Sequence, residues 1–95
     1  MVRVTQFDPS AFLDDDEVVA EYLTAALEDE NPDVFLAAVG NVAKARGMSA
    51  IAEAAGLGRE SLYKALSGER SPGFDTILKV MAALGLKLHA EANRG

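Results

Sequence analysis

Apolar side chains along the chain recur at the spacing of helix faces, and each run is bracketed by residues that start and stop helices. The first run, Val18, Val19, Tyr22, Leu23, Ala26 and Leu27, follows Leu13-Asp14-Asp15-Asp16-Glu17. There Asp14 can cap, Glu17 can reach back to the Asp14 amide, and Leu13 with Val18 supplies a hydrophobic staple. A second run, Phe35, Leu36, Val39, Val42 and Ala43, opens on Asn31 as cap with Pro32 in the first turn, where a missing N–H is harmless, and ends near Gly47. Ahead of Phe12 the pattern changes. Asp8-Pro9-Ser10 is a turn signal and Val2 and Val4 alternate, so residues 1–12 read as an extended arm before the helical residues 13–95.

Beyond Gly47 the helices become short, divided by single turns. Ser49 is placed to cap a helix through Ala55, with Ile51, Ala52 and Ala55 facing inward. Gly56-Leu57-Gly58 makes the turn: Gly56 can take positive φ and Leu57 is an apolar plug beneath it. Residues Arg59 to Ser67 form the next helix, ended by Gly68, with Leu62 and Leu66 as core anchors one turn apart. That leaves Arg59, Glu60, Tyr63, Lys64 and Ser67 on the open face. After the loop from Glu69 to Gly73, Phe74, Ile77, Leu78, Met81 and Leu84 mark a last helix closed by Gly85. Leu86-Lys87-Leu88-His89-Ala90 alternates with period two and predicts a short strand over 86–90. A lone strand is unstable, so it must pair with the N-terminal arm or with its twin in a dimer, which makes Leu86, Leu88 and Ala90 candidate dimerisation residues.

The formal net charge of −6 argues at first against a nucleic-acid partner, because it repels phosphate. Its distribution changes the picture. Residues 1–40 hold one base, Arg3, against ten acids, a net −9, whereas residues 41–95 hold eight bases against five acids, a net +3. A mildly basic half suits phosphates, and an acidic half suits a cationic partner or simply solvates a helix. Asp15, Asp16, Glu21 and Glu28 are the candidate contacts for such a partner. The first-turn acids from Asp14 to Glu17 favour the positive end of their helix, but Glu28-Asp29-Glu30 sit at its negative end, where the macrodipole opposes them.

Two short helices joined by a glycine-containing turn, the second presenting a polar face over two leucine anchors, make a helix-turn-helix pattern from Ser49 to Ser67. In that motif the second helix enters the major groove N-terminus first, so its first-turn side chains meet base edges while helix starts and cationic side chains hold phosphates. Arg59 can pair bidentately with guanine, Glu60 can accept from cytosine, Ser61 can bond either strand, and Tyr63 and Lys64 suit the backbone. Lys44 and Arg46 at the end of the second helix, with Ser49 and Gly58 at helix starts, complete the candidate DNA-binding set. Ordinary roles stand beside these: Tyr63 as half-buried packing, Glu60 as an i, i+4 partner of Lys64, and Ser49 as a cap.

From Asp14 to Leu88 the chain resembles the addiction-module antidote proteins, the HigA-like antitoxins of the Cro/repressor helix-turn-helix superfamily. The resemblance is carried by the stretches from Asp14 to Leu23, Ala43 to Ser49, Gly56 to Ser67, and Leu78 to Leu88. It implies an all-α, five-helix Cro/repressor-type domain, and a homodimer that represses its own operon and neutralises a RelE/ParE-like toxin, usually a small basic ribonuclease. The chain departs from the superfamily at Ala50, where a phosphate-contacting Gln is usual, and at Gly58, where a Ser cap is usual.

Other chemistries find no foothold in the sequence. His89 has no second His or Cys near it in the chain, the acids from Asp14 to Glu17 lack EF-hand spacing, and there is neither a G-x-S-x-G elbow nor a phosphate-binding glycine loop. No enzyme activity, metal or cofactor is therefore expected. With no cysteine, no signal-peptide pattern and no apolar run long enough to span a bilayer, the expected location is the cytoplasm and the expected partners are double-stranded DNA carrying an inverted repeat, a small basic toxin and a second copy. A stand-alone phage-type repressor and a protein-binding module that no longer binds DNA are the alternative readings.

Overall fold

Three consecutive aspartates, Asp14, Asp15 and Asp16, offer equal capping chemistry, and the backbone selects the middle one. In the computed structural model, which describes residues 15–69 and 71–93, Asp15 is extended and its Oδ1 accepts the Glu17 amide at 2.8 Å and the Val18 amide at 3.4 Å. The cap of α1 (Asp16–Leu27) thus lies one residue beyond the expected Asp14. Both Asp14 and the staple residue Leu13 lie outside the described residues, as does the expected arm over 1–12.

The acids that α1's dipole opposes have a role in the next turn. Asp29 accepts the Asn31 amide at 2.8 Å, and Asn31 in turn accepts the Asp33 amide at 2.9 Å to cap α2 (Pro32–Arg46). Glu28, Asp29 and Glu30 therefore precede the positive end of α2, which favours negative charge.

Gly47 turns the chain in a single residue. With φ of 101° it ends α2 and is also the N-cap of α3 (Met48–Ala55), its carbonyl accepting the Ile51 amide at 3.1 Å. Ser49 consequently sits inside the first turn of α3 and is not its cap, a correction to the expected boundary that leaves the hydroxyl exposed. Gly56 is left-handed as expected (φ 73°), and the Leu57 and Gly56 amides bond the Ala52 and Glu53 carbonyls at 2.9 and 3.1 Å, a Schellman motif. Leu57 packs half-buried on the core beneath this turn. α4 (Arg59–Leu66) follows, ending one residue before the expected Ser67, and α5 (Phe74–Ala83) closes on a second Schellman motif at Gly85 and Leu86.

These five helices, with no strand among the described residues, make an all-α fold. α1 lies along α2, α2 also touches α3 and α4, and α5 packs on α3. Between them are Val19 and Leu23 of α1, Val39 and Val42 of α2, Ile51 and Ala52 of α3, Leu62 and Leu66 of α4, and Ile77, Val80 and Met81 of α5, with Leu84 just beyond. Complete burial of a side chain such as Leu62 or Leu84 contributes about 1.5–3 kcal/mol. No buried polar or charged residue interrupts this core among the described residues.

Two expectations for the C-terminal third need correction. On α5 the buried set is Ile77, Val80 and Met81, while Phe74 and Leu78 of the expected stripe are exposed. Leu78 is displaced by about 100° around the helix from Ile77 and leaves the buried face; Phe74 lies on the right face but in the first turn, where it overhangs the core. The expected strand over 86–90 is absent: residues 86–93 have no regular structure. The Leu86 amide is consumed by the helix cap, bonding the Met81 carbonyl at 2.9 Å, and no second strand lies alongside among the described residues. Leu86 packs against its own core, Leu88 is part-exposed on a groove, and Ala90 is exposed.

Candidate nucleic-acid interface

α4 is amphipathic, and everything distinctive lies on its outer face. Leu62 and Leu66 are buried, so Arg59, Glu60, Ser61, Tyr63 and Lys64 are all exposed within two turns. The Arg59 guanidinium carbon sits 5.7 Å from the centroid of the Tyr63 ring one turn along, a cation–π contact worth about 0.5–1 kcal/mol at an exposed site. Arg59 thus stands exposed in the first turn of the helix beside that ring. Gly58, the N-cap, is extended and supplies no side chain to the first-turn amides of α4. Those N–H groups, together with the helix dipole, favour an anion at this end.

The fold brings other expected residues to this face. Lys44 of α2 and Tyr63 of α4 line one hollow of about 230 Å³ with Asn41, Met48 and Ser67. Ser61 and Lys64 line a second, of about 470 Å³, with Glu69 and Ser71 of the loop before α5 and Thr76 of its first turn. Ser49 is exposed in the first turn of α3. Lys44, Arg59 and Lys64 against Glu60 and Glu69 leave these residues slightly positive on a chain of net charge −6.

Arg46 departs from the set. Its side chain is only 18% exposed, donating to Asp16 at 2.9 Å and to the Leu84 carbonyl at 3.0 Å. Two residues expected at different sites, Arg46 for DNA and Asp16 for a basic partner, are thus paired with each other, fastening the start of α1 to the end of α5. Asp15 is likewise engaged as a cap, whereas Glu21 and Glu28 line a shallow exposed hollow on the outer side of α1 with Ala20, Thr24 and Ala25. Asn41 went unnoticed in the sequence, although it precedes Lys44 by three positions and so shares its face; its amide donates to the Tyr22 hydroxyl at 3.0 Å.

Among the described residues no group of three or more His, Cys, Asp or Glu could hold a metal ion, and no helix is long and apolar enough to cross a membrane.

A family model described as probable addiction module antidote protein matches residues 3–92. The chain is also 42% identical over 92 residues to an uncharacterized protein of Haemophilus influenzae strain Rd, an alignment covering 97% of this chain and 95% of that protein. No solved structure matches. Since the match runs through all five helices and the turns between them, this chain belongs to the probable addiction module antidote protein family.

Proposed function

We propose that this chain is the antitoxin of a type II toxin-antitoxin module, which represses its own operon by binding DNA and neutralises a small basic toxin of the RelE/ParE-like kind. The observation that carries the DNA half is α4: two buried leucines hold it down while Arg59, Glu60, Ser61, Tyr63 and Lys64 stand outward together. On this reading α3 and α4 act as a helix-turn-helix of Cro/repressor type. Arg59 and Glu60 read base edges in the major groove; Lys44, Ser49, Tyr63, Lys64 and the amides behind Gly58 hold phosphates. Arg46 contributes to DNA binding only by keeping α2 in place.

Membership in an antidote family supports the toxin half, and the acidic first forty residues supply the field for a cationic partner. Because rim charges act mainly on association, neutralising Glu21 and Glu28 should slow toxin association, most at low salt, and leave the dissociation rate nearly unchanged. Unaltered association at low salt would remove these acids from the contact. The unit we propose is a symmetric homodimer, since one copy offers too few bases for tight operator binding.

Two arms of one cellular experiment test the function. A small basic protein encoded beside this chain should arrest growth when expressed alone and permit it when this chain is co-expressed. A reporter driven by the DNA upstream of the chain's gene should fall when the chain is supplied. Continued arrest together with an unrepressed reporter would reject the proposal.

A further inference from the structure

A groove of about 550 Å³ lies between the C-terminal end of α1, the N-terminal end of α2, the loop before α5, the first turn of α5 and the segment after α5, and through Ser71 and Pro72 it adjoins the hollow lined by Ser61 and Lys64. No residue of α3 or α4 lines it. Its walls carry large apolar side chains left in the open: Phe74 is 67% exposed, Leu27 53% and Leu88 38%. Phe74 and Leu27 each prolong an apolar helix stripe past the end of the core, Phe74 three positions before Ile77 and Leu27 four after Leu23. Three exposed acids, Asp29, Glu30 and Asp33, also line it, as does His89, whose ring nitrogen lies 3.7 Å from Glu91.

An apolar floor bounded by carboxylates selects its occupant by charge. A second copy docked here by a two-fold axis would set this acidic rim against itself, a like-charge contact that disfavours self-association. DNA is repelled by the same carboxylates. We propose that this groove is the seat of a basic amphipathic segment of the partner protein: an aromatic or aliphatic side chain lodged between Phe74, Leu27 and Leu88, with lysine or arginine reaching Glu30 and Asp33. The proposal rests on the reading of the chain as an antidote and locates where the toxin is gripped. Glu21 and Glu28, outside this groove, then steer the partner, while the groove holds it.

The probe is the small basic protein encoded beside this chain, titrated by calorimetry against the full chain and against Phe74→Ala, Glu30→Lys and Glu21→Gln. Phe74 is mostly exposed and Glu30 bonds no backbone group, so operator affinity should match the parent in each variant, and the melting temperature should match in all but Glu30→Lys, where a positive charge before the start of α2 should lower it by a few degrees at most. Phe74→Ala and Glu30→Lys should each weaken the complex by about tenfold or more, as loss of an anchor does, and Glu21→Gln by much less. If the parent does not bind the probe at all, the antidote reading fails and the groove assignment with it. If the parent binds and both groove variants bind as tightly, the groove assignment alone fails. It fails equally if Phe74→Ala turns a dimer into a monomer, or if groove variants lose operator binding while holding the probe.

Discussion

At the scale of single residues, what a cation touches separates two arginines that look alike in sequence. Arg59 projects from the first turn of α4 with only the Tyr63 ring behind it, whereas Arg46 ties Asp16 to the Leu84 carbonyl. Arg59→Ala should therefore weaken specific DNA binding by about 1–3 kcal/mol and relax discrimination at one base position, while lowering stability by no more than the ~0.5–1 kcal/mol of its contact with Tyr63. Arg46→Ala should do the reverse. It costs about 1–3 kcal/mol in urea denaturation, mostly from the bond to the carbonyl because the Asp16 partner is exposed, and leaves operator affinity per folded molecule intact. Swapped outcomes would overturn both assignments. Periodicity alone could not make this distinction, since both residues follow helical apolar runs and Arg46 finds its partners 30 and 38 positions away. The three-aspartate run hid the true cap for a related reason: equal chemistry at successive positions leaves the choice to backbone geometry.

Helices and turns were the most legible level. Asn31-Pro32 at the start of α2, the left-handed Gly56 and the terminal Gly85 each do locally what their residue types dictate. Ser49 misled because Gly47 takes both the end of α2 and the start of α3, a double duty that only its φ of 101° reveals. The strand over 86–90 misled because alternation describes a potential that needs a partner, and here the Leu86 amide is spent on the helix cap. Within α2, Gly40 is buried mid-helix, and a Cβ added to it would meet the Leu66 Cβ at an ordinary 3.8 Å. Gly40→Ala should stabilise the fold by about 0.5–1 kcal/mol through lower unfolded-state entropy, raising the melting temperature by about 2–8 °C for a domain of this size. A lower melting temperature would show that α2 and α4 pack more tightly than this spacing allows.

For the whole molecule, the division of charge and the division of surfaces coincide in part. The groove rimmed by Asp29, Glu30 and Asp33 belongs to the acidic first forty residues on its α1 and α2 side, and the face of Arg59 and Lys64 to the basic remainder. The imbalance was visible in the sequence; the groove was not, because Leu27, Phe74 and Leu88 come together only when α1 and the two ends of α5 converge. A symmetric dimer binding an inverted repeat would place its recognition helices in successive major grooves about 34–36 Å apart. Inserting about five base pairs between half-sites should abolish cooperative binding, and inserting about ten should largely restore it, while a monomer would ignore both insertions. Whether α4 reads DNA is measured by fluorescence anisotropy of the full chain on the DNA upstream of its own gene against a scrambled duplex, at matched physiological salt. The upstream duplex should bind about a thousandfold or more tightly than the scrambled one, with Arg59→Ala narrowing the gap; equal affinity for the two duplexes would show that α4 does not read this DNA.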